Sequence, residues 1–246
     1  FPFETEVYRG TTLDVEFVGH PLLEILGIAR EPKPVRDANL VLLLPGSRRA
    51  EVHRLLPLLL ESARILGRRR PELRFVLAVP PGGIAAYTRE VLEPFQREDG
   101  APDIAVAEGE TRELLTRASA GAAASGTVTV EAAILGLPLV VVYKLHWLTY
   151  WMVRLLVRIP FFTMVNLVAR GEVYREFLQS AATPTRVAAE IEGILPHGER
   201  RAETLAGMNK AVDALGGQTN VGRRAARAVL AVAAMERKTA GDEPNS

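Results

Sequence analysis

The apolar run in LVLLLPGSRRAEV, Leu40 to Val52, breaks at Pro45 and continues as Gly46, Ser47, Arg48 and then a helical pattern. A strand that turns into a helix leaves the first backbone N–H groups of that helix pointing outward, at the positive end of its dipole. Gly46 lets an oxyanion approach the backbone, Ser47 adds a hydroxyl, and the Arg48 guanidinium can fork onto phosphate oxygens. The Gly-Lys-Ser/Thr ending of a Walker loop is absent. Taken alone, the stretch also fits a plain helix capped by Ser47. A second stretch, ASGTVTVEAAILGLP from Ala124 to Pro138, repeats the arrangement with Ser125 and Gly126 in the turn and Thr127 at the helix start. Glu131, four residues on, shares the Thr127 face and can accept hydrogen bonds from sugar hydroxyls, or it can simply complement the dipole. Two anion-ready tips, one with a diol acceptor, describe a nucleotide diphosphate site.

These tips need a sheet to present them. Apolar runs at Leu40–Leu44, Arg74–Val79, Ile104–Ala107, Ala120–Ala124 and Leu139–Tyr143 alternate with helical patterns at Ala50–Gly67, Ile84–Arg97, Thr111–Arg117, Thr127–Leu135 and Trp147–Val157. Strands apolar on both faces and separated by helices predict a doubly wound parallel α/β sheet, with ligands beyond the carboxyl ends of the strands. After Val168 only helices are expected: Val173–Gln179, Pro184–Leu195, Glu199–Leu215 and Val221–Arg237. The chain divides into a connector over 1–39 with a short strand at Val15–Val18, an α/β nucleotide-binding domain over 40–180, helices over 181–237 and a polar tail over 238–246. Gly27 to Asn39 reads as a linker.

Composition narrows the function. The chain has 246 residues and a formal charge of +1, no general electrostatic appetite for nucleic acid. It has no cysteine, and His20, His53, His146 and His197 show no metal-ligand spacing, so neither a thiolate nor a metal centre is expected. No run long enough to span a bilayer is free of charge. Phe1 in place of Met suggests a processed chain or, better, one that begins inside a longer protein. YKLHWLTYWMVRLLVRIPFF, Tyr143 to Phe162, puts Trp147, Trp151, Arg154 and Arg158 on one side if helical. That pattern suits a water–lipid boundary or a core helix with snorkelling arginines.

PGSRRAEV, ASGTVTVEAAILGLPLVVVYK and VNLVARGEVYREFLQ, in this order, together with the opening VGHPL, resemble motifs of the lipid A disaccharide synthase family. The resemblance covers essentially the whole chain. It implies the two-domain GT-B glycosyltransferase fold, of which this chain would be the C-terminal Rossmann-like domain and following helices, the N-terminal domain being absent. The implied reaction transfers 2,3-diacylglucosamine from UDP-2,3-diacylglucosamine to 2,3-diacylglucosamine 1-phosphate with inversion, releasing UDP. Alternatives are another GT-B enzyme, such as a UDP-sugar epimerase or a different glycosyltransferase, or a nucleotide-binding module without turnover.

By this resemblance Gly46, Ser47 and Arg48 meet the donor diphosphate, Arg48 also stabilising charge on the UDP leaving group. Ser125, Gly126 and Thr127 belong to the nucleotide site, with Glu131 on the ribose. Glu51, Tyr143, Asn166 and Gln179 lie in matching motifs and join the donor-site set. No cofactor is implied. The expected partners are the two substrates, a membrane surface and the missing domain, with room for a homodimer, and the expected location is the cytoplasmic face of the inner membrane. Two departures stand out: Ala169-Arg170-Gly171-Glu172 where the family usually reads AGRE, and Arg175-Glu176-Phe177-Leu178-Gln179 where it reads PELLQ. An inverting transfer needs a base, and the family's acidic candidate lies in the absent domain, so this segment alone should bind UDP and catalyse little.

Overall fold

The computed structural model describes residues 1–13, 15–26, 35–144, 161–216 and 220–241. The Trp147–Val157 helix and the tryptophan–arginine side proposed for it lie outside the described residues. Six parallel strands form one sheet: β1 (Asp37–Leu44), β2 (Arg74–Val79), β3 (Ile104–Glu108), β4 (Ala118–Ala124), β5 (Leu139–Tyr143) and β6 (Glu176–Leu178), in the order β3-β2-β1-β4-β5-β6. The order reverses between β1 and β4, and a crevice opens at such a point. β4 is alanine-rich and fully buried. At Gly121 an added Cβ would come within 2.6 Å of the Leu42 carbonyl oxygen, so only glycine fits between β1 and β5 there.

Alternate residues of the strands feed two cores. Val41, Leu43, Phe75 and Leu77 pack under α3 (Arg49–Arg69), α4 (Gly83–Gln96) and α8 (Pro184–Ile194). Leu40, Leu42, Leu44 and Val141 pack under α5 (Thr111–Arg117), α6 (Thr127–Leu135), α7 (Met164–Ala169) and α9 (Arg201–Ala214). This is the doubly wound architecture that strands apolar on both faces require. Pro184 stands at the first position of α8 behind a Thr183 cap, where its missing N–H costs nothing.

Two expectations fail, each for a local reason. Val173–Gln179 is not a helix: Glu176–Leu178 is the edge strand β6, paired with β5 through Val141↔Glu176 and Tyr143↔Leu178. The Asn166 side chain accepts the N–H groups of Val173 and Tyr174 and fixes the turn that leads into this strand. Val15–Val18 is not a strand either. The segment is held instead by helix ends: the Arg224 guanidinium donates to the Phe17 carbonyl, and His20 N–H to the Leu215 carbonyl at 3.1 Å. It leads into α2 (Pro21–Ile25), whose Glu24 carboxylate accepts the Gly222 N–H at the start of α10 (Val221–Gly241). A four-residue helix, α1 (Glu4–Val7), precedes it. The transposed glycine also acquires a geometry. The left-handed residue ending α7 is Arg170, φ +53°, so an arginine takes the conformation that glycine adopts without penalty.

Below the sheet, Arg36 ties two helices together. Its guanidinium donates to the carbonyls of Leu115 (2.9 Å) and Ala118 (2.7 Å) at the end of α5, and to that of Leu135 at the end of α6. A cation is the right partner for two helix carboxyl ends. Burial, then the nearby charge of Arg201, lowers its pKa to about 10. Replacing Arg36 by alanine should destabilise the fold by about 1.5–3 kcal/mol, read as a lower denaturant midpoint. Lysine should recover little of it, because a single ammonium cannot reproduce the planar fork.

Candidate functional site

At the end of β1 the chain turns through Gly46, φ +115°, and α3 begins at Arg49 with Arg48 as its extended N-cap residue. The cap comes from Glu51, not from the Ser47 hydroxyl. Glu51 Oε2 accepts the N–H groups of Ser47 (2.9 Å) and Arg48 (3.3 Å), and Oε1 accepts from the Arg48 guanidinium at 2.9 Å. Gly46 permits this on two counts. Its φ is left-handed, and a Cβ there would lie 2.4 Å from Glu51 Oε2.

At the end of β4 the second tip is built differently. Gly126 is extended and serves as N-cap of α6, with no side chain of its own to offer the helix. A Cβ on it would meet nothing within 4 Å, so glycine here keeps space open and relieves no clash. Thr129 donates its hydroxyl to the Gly126 carbonyl at 2.7 Å and steadies the turn.

The two tips face one cleft of about 760 Å³, within the range of small-ligand sites. Gly46, Ser47, Arg48 and Glu51 line one wall; Ser125, Gly126, Thr127 and Glu131 line another. Eight of the anticipated residues therefore meet at the strand-order reversal. Another hollow, of about 680 Å³, is lined by Asp37, Arg74 and Asp103 near the opposite ends of the strands and contains neither tip.

Sequence reasoning missed a third contributor. Gly109, Thr111 and Arg112, where β3 passes into α5, also line the cleft, and Arg112 Nε stands 3.9 Å from Glu131 Oε2. The signal was present in EGETR, another strand end with a glycine before a helix. The cleft thus carries two guanidinium–carboxylate pairs, Arg48–Glu51 at 2.9 Å and the looser Arg112–Glu131. Arg48 is 81% exposed. Among the described residues no three histidines or carboxylates come together as metal ligands would.

Three anticipated residues do not line this cleft. Tyr143 ends β5 and Gln179 follows β6, so both stand at the carboxyl edge of the sheet but on strands beyond β4. The Tyr143 ring lies beside that of Phe162, with centroids 6.2 Å apart. Asn166 is fully buried and committed to the fold. Its Nδ2 donates to the Tyr174 carbonyl (2.7 Å) and to Glu176 (2.8 Å), while Oδ1 accepts from Val173 and Tyr174 N–H at 2.9 Å each. That uses the full capacity of the amide. Glu176 in turn accepts from Phe162 N–H, Thr163 N–H and the Thr163 hydroxyl at the start of α7. The buried Tyr174 hydroxyl donates to the Leu137 carbonyl, and burial pushes its pKa up, so it stays neutral.

A family model described as lipid-A-disaccharide synthetase matches residues 1–232. The chain belongs to that family. The lipid-A-disaccharide synthase of Anaeromyxobacter dehalogenans (strain 2CP-C) is 35% identical over 238 residues, 94% of this chain and 61% of the relative. That of Syntrophus aciditrophicus (strain SB) is 36% identical over 222 residues, 87% of this chain and 57% of the relative. The chain thus spans about three-fifths of the length of these relatives. Among solved structures, the pneumococcal O-GlcNAc transferase GtfA in complex with UDP and GlcNAc matches with a TM-score of 0.50 at 17% identity, over 80% of this chain and 36% of that one. At this identity the likeness speaks for the fold alone, a doubly wound parallel sheet of the GT-B type. No helix among the described residues is long and apolar enough to cross a membrane.

The Asn166 network has a measurable consequence. Asn166→Ala should cost about 2–4 kcal/mol of stability, because two buried N–H groups lose their acceptor together and Glu176 loses one of its four donors. Equilibrium unfolding in urea checks this.

Proposed function

We propose that this chain is the donor-binding part of a lipid A disaccharide synthase. It holds UDP-2,3-diacylglucosamine while its sugar is transferred, with inversion, to 2,3-diacylglucosamine 1-phosphate, forming the lipid A disaccharide 1-phosphate and UDP. The observation that carries the reading is the convergence of the β1 and β4 tips on one cleft at the reversal of strand order. Family membership supplies the substrate class.

In this reading the diphosphate lies between the amino ends of α3 and α6, where partial positive charge and backbone donors favour it. Ser47, Ser125 and Thr127 offer hydroxyls, and the exposed Arg48 engages the phosphates. As the bond to the sugar breaks, negative charge gathers on the UDP leaving group, and Arg48 stabilises it more than the intact donor. Glu131 accepts hydrogen bonds from the ribose. The base that takes the acceptor proton belongs to the part of the relatives' length that this chain does not span. The isolated chain therefore binds UDP and turns over little. Acylated substrates make the membrane surface the natural place of work, with the protein peripheral on its cytoplasmic face.

Arg48→Ala should weaken UDP binding about tenfold or more, as expected for a charge-assisted fork of about 1.5–3 kcal/mol. Unchanged affinity by calorimetry would take Arg48 out of the site. Glu131→Ala should narrow the preference for UDP over pyrophosphate, measured by competition. Equal preference in variant and parent would refute the ribose assignment.

A further inference from the structure

Glu51 holds the very donors that a phosphate would need. Two adjacent amides at the positive end of α3, those of Ser47 and Arg48, and the Arg48 guanidinium all converge on its carboxylate at 2.9, 3.3 and 2.9 Å. A phosphate oxygen cannot take those positions while the carboxylate keeps them, because both are anions and each needs the same hydrogens. The neighbouring tip is different: the N-cap of α6 is Gly126, and its surroundings are open. Among the described residues, one helix end facing the cleft is occupied by a side chain and the other shows no side-chain cap.

We propose that Glu51 is a built-in competitor for the diphosphate, and not one of its ligands. The inference rests on the donor-site reading above and adds a specificity-determining role to it. A diphosphate entering the cleft displaces the Glu51 carboxylate; Arg48 exchanges it for phosphate oxygens, and the two amides do the same. When UDP leaves, Glu51 folds back over Gly46, whose missing Cβ makes room for it. No covalent bond changes. The exchange lowers affinity for any ligand with a phosphate in this seat and speeds its departure, which suits an enzyme that must release UDP after each transfer. Uridine, which has no phosphate, does not enter the competition.

The test compares UDP and uridine binding to the parent chain and to Glu51→Gln by calorimetry, with UDP dissociation followed by stopped flow. The glutamine keeps an acceptor for the helix end and removes the competing charge. UDP should bind roughly ten- to a hundredfold tighter to the variant, the order of one charge-assisted hydrogen bond, and should dissociate more slowly, while uridine affinity stays the same. An unchanged or weaker UDP affinity overturns the proposal and makes Glu51 a bystander or a ligand. Should Glu51→Gln not fold, Glu51→Ala is read by the same criteria, its unfolding midpoint confirming the fold. The two readings fail separately. A parent chain indifferent to UDP refutes the donor site itself. A parent that binds UDP and loses it on Arg48→Ala, with no gain on Glu51→Gln, refutes only the competitor.

Discussion

Helix amino ends carry positive potential, and in this sheet the reversal of strand order makes two of them open into one space. β1 and β4 are neighbours, but α3 leaves β1 toward one face and α6 leaves β4 toward the other. Their first turns therefore diverge above a common crevice whose floor is the strand ends. Gly46 and Gly126 serve this geometry in different ways. The first supplies a left-handed turn and lets a side chain fold back; the second leaves open space beside the backbone. Were β1 and β4 not adjacent, the same two motifs would be isolated capped helices.

One electrostatic rule recurs across the molecule. At several helices the amino end is met by a carboxylate or the carboxyl end by a guanidinium. Glu51 serves α3 and Glu176 serves α7, while Arg36 closes α5 and α6. Arg201 donates to the last carbonyl of α8 at 2.7 Å and to Ser119 in β4 at 2.8 Å. The members differ in what surrounds them. Glu176 receives four donors, Asn166 among them, and is fixed. Glu51 sits on the wall of a cleft, with a partner arginine that is largely exposed. The same kind of contact stitches the fold in one place and can be exchanged in the other.

Much of this was legible in the residues. The first five strands and the tips at Gly46–Arg48 and Ser125–Thr127 follow from apolar runs that end in glycine and small polar residues. β6 was missed because Glu176–Leu178 is short and looks helical by spacing; the free edge of β5 and the Asn166 amide, eight residues from Tyr174, turn it into a strand. Arg112 was missed because an arginine in a first helical turn looks like any solvated charge until its neighbour Glu131 is known. Asn166 stood in a matching motif, yet its burial and saturated hydrogen bonds appear only when the chain is folded.

Local chemistry along the sequence settled five of the six strands and the glycine turns that end β1 and β4, and its motifs pointed to the family. Those properties depend on neighbours a few residues apart. The tertiary structure alone decided that the two tips share a cleft, that Arg112 joins them, and that Glu51 already sits on the donors of α3. Each of these depends on strand order or on a side-chain torsion, and neither is written in residue spacing.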